Sequence, residues 1–95
     1  MSHFYDRAGE PITLTRWNGL IEDLDYRRVD RTSAQGVVVS TVWLGIDHNL
    51  DPAGPPLFFE TMTFGGPLDG EIVRYSSELD AREGHARAVR RAGLA

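Results

Sequence analysis

Residues 37–46, VVVSTVWLGI, constrain the fold more than any other stretch of the chain. β-Branched side chains at this density lose rotamer freedom in a helix and pack well on a pleated strand. Strand alternation sends Val38, Val42, Leu44 and Ile46 to one side and Val37, Val39, Thr41 and Trp43 to the other. Both sides are partly apolar, so this strand belongs in the middle of a sheet. The following HNLDPAGPP, residues 48–56, carries three prolines, and proline has no N–H to give to a ladder, so the pairing ends there. Residues 57–64, LFFETMTF, read as the returning partner. Phe58, Glu60, Met62 and Phe64 share one face of it, and Leu57, Phe59, Thr61 and Thr63 the other.

The remaining elements arrange themselves around this hairpin. DRAGEPI, residues 6–12, is a turn centred on Ala8 and Gly9 that leads from a short first strand. Leu14, Trp17, Ile21 and Leu24 recur at spacings of three and four, the mark of an amphipathic helix of about 11 residues, with Thr13 as its N-cap. Residues 26–31 alternate as a strand, and TSAQG at 32–36 is the loop to the central strand. GGPLDG makes a turn into a last short strand at 71–75. Ser77, with Asp80 three residues on, is a capping pair that opens a helix through Ala92, with Leu79, Ala86 and Val89 toward the sheet. The expected fold is a single α+β domain over residues 1–95. It has two layers: an antiparallel four-stranded meander with a helix before it and a helix after it, both on one face. The other face, carrying Trp43, Phe59, Thr41 and Thr61, is then left partly exposed, and an apolar face of that kind marks an interaction surface.

Charge and composition narrow the function classes. The net charge is -4 and the signs are interspersed, so the basic footprint of a nucleic-acid binder is missing and nucleic acid is not the expected partner. There is no cysteine, which removes disulfides, thiolate metal sites and cysteine nucleophiles. No basic leader with an apolar core opens the chain, and no apolar run reaches the roughly 20 residues of a membrane span. A cytoplasmic protein with no membrane partner and no cofactor is expected. The serines at 2, 33, 40, 76 and 77 lie outside any nucleophile elbow. TFGGPLDG lacks the lysine and the helix of a phosphate loop. Arg82, Arg87, Arg90 and Arg91 gather at the end of the last helix, where they complement its dipole.

One set of side chains has the chemistry of a site. Asp47 and His48 end the central strand, Glu60 lies in its partner, and His85 lies on the last helix. Imidazoles and carboxylates are ligand types for zinc or a similar divalent ion, although the spacing is not that of a known metal motif. The expected role of these residues is structural, with the metal site as the alternative: Asp47 and His48 bonded to the long loop, and His85 at the boundary of helix and sheet beside a carboxylate.

STVWLGIDHN, PPLFFETMTFG and GHARAV resemble a family of small uncharacterised proteins of actinobacteriophages and their actinobacterial hosts, over residues 9–90. All ten basic residues are arginine, as a GC-rich coding sequence of that origin would give. The resemblance implies a source and supplies no activity. The expected function is a phage-type accessory protein, a non-enzymatic module that binds a host protein, itself as a homodimer, or both. The alternative is a metal-dependent enzyme built on Asp47, His48, Glu60 and His85.

Overall fold

The computed structural model describes residues 3–94, so Met1, Ser2 and Ala95 lie outside the described residues. The β-branched run forms β2, Val37–Trp43. It pairs antiparallel with β1, Arg28–Ala34, on one side and with β3, Phe59–Phe64, on the other; β3 in turn pairs with β4, Ile72–Tyr75. The strand order is β1-β2-β3-β4, the antiparallel meander expected from the sequence. Helices α1, Leu14–Ile21, and α2, Leu24–Arg27, precede it, and α3, Glu78–Arg91, follows. Thr13 caps α1 by accepting the Arg16 N–H, and Ser77 caps α3 by accepting that of Asp80. Glu78 and Asp80 in the first turn of α3 and Arg90 and Arg91 in its last turn suit the helix dipole. The expected first strand is reduced to two isolated bridges, Phe4 with Ile46 and Tyr5 with Pro11.

The helices do lie on one face of the sheet, but it is the face the sequence reading left open. Val39, Thr41, Trp43, Phe59 and Thr61 are fully buried. Trp43 sits in one cluster with Val29, Phe58, Phe59, Tyr75 and Ala81, against which Trp17, Leu20 and Ile21 of α1 pack. Val39 packs with Ala88 and Val89 of α3 in a second cluster. Trp43, Phe59, Thr41 and Thr61 therefore line no interaction surface. Aromatic bulk contributes to this: Trp and Phe each bury about 150–250 Å², and on this face Trp43 and Phe59 share one cluster with Val29, Tyr75 and Ala81. The indole N–H also finds an acceptor there, the Tyr5 carbonyl at 2.9 Å, and Tyr26 meets the Trp43 ring edge-on with centroids 5.0 Å apart. Gly45, at φ +72°, lets the backbone pass where a Cβ would strike the rings of both Trp43 and Trp17.

Three local expectations also shift. The helix read as one runs as two, because Asp23 accepts the Tyr26 N–H and starts α2 afresh; Leu14 and Leu24 are left exposed. The loop read at 32–36 shrinks to Gln35 and Gly36, both at positive φ, the two-residue hairpin turn that matches strand twist. The stripe of α3 that meets the sheet is Ala81, Gly84, His85, Ala88 and Val89, while Leu79 and Ala86 point to solvent. Small residues at 81, 84 and 88 allow the helix to sit close to the strands, which a leucine stripe would not.

Arg7 fastens the N-terminal turn to this frame. Its Nε donates to Glu78 at 2.7 Å and one terminal nitrogen to the Tyr26 carbonyl at 3.0 Å. That hydrogen bond is the main reason the Glu78 carboxyl lies below its ordinary range and the Arg7 guanidinium above its own.

Candidate functional site

Each strand and α3 contributes one polar side chain to a buried chain of hydrogen bonds. Thr41 and Thr61 face each other across β2 and β3, and their hydroxyls are bonded. Tyr75 of β4 donates its hydroxyl to Thr61 at 3.0 Å. His85 of α3 has Nδ1 2.7 Å from the Thr41 hydroxyl and Nε2 2.9 Å from that of Thr32 in β1. One assignment gives each of the three buried hydroxyls an acceptor: Tyr75 donates to Thr61, Thr61 to Thr41, and Thr41 to Nδ1. The imidazole is then neutral, with its proton on Nε2 toward Thr32 and Asp30. His85 is only 3% exposed, so the network meets almost no solvent and offers a substrate little to touch. Its role is to fix the register between helix and sheet, since fully satisfied buried polar groups specify one arrangement.

Burial pushes the His85 imidazole below its ordinary pKa of 6.5, and the Asp30 carboxylate, 3.7 Å from Nε2, raises it by less. Unfolded chains therefore take up a proton near pH 6.5 that the folded protein refuses. The stability this group contributes is complete above pH 6.5 and is lost as the pH falls from there toward the lower native value. The urea midpoint should thus drop between about pH 7.5 and about pH 5.5, and a folded His85→Gln variant should show a flatter profile. Equal slopes for the two proteins would mean that His85 does not carry the dependence.

No family model, curated protein or solved structure matches this chain. The assignment of a site therefore rests on the geometry alone. Among the described residues no three His, Asp or Glu side chains gather as a metal-holding group, and the four residues of the alternative metal reading are engaged separately. Asp47 accepts the N–H groups of Asn49 and Leu57 at 2.8 and 2.9 Å. His48 donates its backbone N–H to the Leu57 carbonyl. Glu60 pairs with Arg74 at 3.1 Å on the open face of the sheet. His85 belongs to the buried network on the other face. The Pro-rich loop is braced from within: Asn49 accepts from Asp51, Asp51 from Ala53, and the Asn49 amide reaches the Pro55 carbonyl. A groove of about 470 Å³ runs beside it, lined in part by His3, Tyr5 and Asp47.

The open face is the remaining candidate. Register places Val38 beside Phe64, Ser40 beside Met62 and Val42 beside Glu60, with Ile72 next to Met62. Phe64 is 46% and Ile72 44% exposed. Arg28 and Arg31 join this face through an irregularity. They are three residues apart, which in a regular strand sets them on opposite sides, but the register shifts between Arg28 and Asp30. Arg28 then lies beside Val42 and Arg31 beside Ser40. Next to them a concavity of about 180 Å³ is lined by Leu24, Arg27, Arg28, Arg31, Ser40 and Val42. None of these three arginines forms an ion pair among the described residues, whereas Arg7, Arg74, Arg82 and Arg91 do. The Arg27 Nε is buried without a hydrogen-bond partner, a state that costs about 1–3 kcal/mol. The sequence reading missed this cluster, since only the adjacent Arg27 and Arg28 were visible in it and the bulge that aligns Arg31 was not.

Proposed function

We propose that this chain is a non-enzymatic interaction module that docks another protein through the helix-free face of its sheet. In the phage setting implied by the resemblance above, the partner is a host protein or a second copy. The observation that supports it is the row of Val38, Val42, Met62, Phe64 and Ile72 on that face, with Phe64 and Ile72 close to half exposed. A sheet face that only meets water turns polar groups outward; this one interleaves them with five large apolar side chains. Ion pairing of Glu60 with Arg74 beside the row gives it a polar border, the composition of a docking patch with a rim.

A Phe64→Glu, Ile72→Glu double variant tests the reading. Side chains kept for a partner are dispensable for the fold, so far-UV circular dichroism should be unchanged and stability should stay within about 0.5 kcal/mol per substitution, while binding of an apolar dye to the native protein is lost. Sedimentation equilibrium on the same pair of proteins separates the occupants: self-association abolished by the variant identifies a second copy, and a wild type that stays monomeric at high concentration leaves a different protein. A variant that unfolds would show that the row belongs to the core and would end the docking reading.

A further inference from the structure

The chemistry of the partner follows from the arginines at one end of the open face. We propose that the concavity lined by Leu24, Arg27, Arg28, Arg31, Ser40 and Val42 binds a carboxylate carried by an acidic, apolar-bearing segment of a heterologous protein, an inference that rests on the docking reading of this face.

The protein is acidic overall, at -4, and among the described residues Arg16, Arg87 and Arg90 also stand without an ion pair, but only Arg27, Arg28 and Arg31 do so together around one concavity. Asp25 and Asp30 share an adjoining groove with Arg28 and Arg31 but form no ion pair with them. Like charges held together are a cost to the free protein that an incoming anion relieves. Guanidinium groups match a carboxylate in a planar, two-bond geometry. Ser40 adds a hydroxyl at the wall of the concavity.

Size and surroundings decide among anions. At about 180 Å³ the concavity is below the roughly 300–1,000 Å³ of sites that take nucleotide-sized ligands, and suits one or two side chains. Leu24, 69% exposed, and Val42 give it apolar walls, and the row toward Met62, Phe64 and Ile72 continues them. A nucleic-acid backbone would leave that row in water, whereas a segment carrying both acidic and apolar side chains covers it. A second copy fits poorly, because a two-fold contact sets this face against itself, and the carboxylate that the face could bring to Arg28 and Arg31, Glu60, is already paired with Arg74.

Amide-shift titration of isotope-labelled protein tests this with two acetylated hexapeptides, one alternating Glu and Leu and its twin alternating Gln and Leu. The Glu-Leu peptide is expected to move the amides of Arg28, Arg31, Ser40 and Val42. The twin should bind about tenfold more weakly or worse, the loss expected when charge-assisted bonds are removed. An Arg28→Gln, Arg31→Gln variant with a dispersed spectrum should lose the same preference. Equal binding of the two peptides at the open face would overturn the carboxylate inference and leave the docking reading standing. Tighter binding of inorganic phosphate or a single-stranded oligonucleotide at these residues would overturn it in favour of a phosphate site. If neither peptide moved any residue of the face, the inference would fall together with the docking reading.

Discussion

Replacing Trp43 with alanine should remove about 3–5 kcal/mol of stability, the range for truncating a buried aromatic side chain. Trp43 has no exposed surface and sits in the main core cluster with residues from α3 and from the strands on both sides of it. The variant loses the indole N–H bond to the Tyr5 carbonyl and the edge-on contact with Tyr26, so the N-terminal segment and α2 loosen with it. A domain of this size has about 5–15 kcal/mol in all, and each kcal/mol moves the melting temperature by about 4–8 °C. Thermal unfolding followed by circular dichroism should therefore show a fall of more than about 12 °C. A loss below about 1 kcal/mol would be the behaviour of an exposed residue and would contradict the burial of this face.

Gly84→Ala should destabilise the protein even though it improves the helix. Alanine is better than glycine by about 1 kcal/mol in a helix interior, but a Cβ at position 84 would overlap the ring and hydroxyl of Tyr75. Both residues are buried, so either α3 lifts from the sheet or Tyr75 leaves its place and breaks its bond to Thr61. Overpacking of this kind costs about 1–3 kcal/mol, and because Tyr75 is buried and bonded to Thr61 its ring has no free place to swing to, so the cost exceeds the propensity gain. Gly19→Ala is the internal comparison, because nothing lies within 4 Å of a Cβ there; it should stabilise by up to about 1 kcal/mol. Urea midpoints of opposite sign for the two variants are the expected result, and a stabilised Gly84→Ala would refute the close approach of α3 to Tyr75.

Elements defined by local chemistry were legible in the sequence. The β-branched run of β2, the proline-bearing loop after it, and the caps at Thr13 and Ser77 each follow from neighbouring residues, and the order of strands and helices follows from them. The covered face was not legible, because β2 and β3 are apolar on both sides and the choice depends on what α1 and α3 present. Reading Leu79 and Ala86 as inward gave α3 a bulkier face than the one it uses; Gly84 matters through the Tyr75 ring of β4 and Ala88 through Val39 of β2, contacts made only once the helix folds back on the sheet. The buried network was hidden for a related reason. Thr32, Thr41, Thr61, Tyr75 and His85 come from five separate elements, and nothing local marks the four hydroxyls and the imidazole as partners. The same holds for the open face, where one extra residue in β1 decides on which side Arg28 lies.

That extra residue has a bearing on aggregation. A meander in chain order leaves β1 and β4 as its two rims, each with unpaired backbone groups that another chain's strand could extend. β4 is only four residues long and carries Arg74. β1 is longer, at seven residues, but the bulge bends it and Arg28, Asp30 and Arg31 put charges along it. Strand-by-strand growth into fibrils is thereby discouraged at both ends of the sheet, and a protein that binds here must recognise side chains on a surface, with the selectivity which that brings, and not add itself to the ladder.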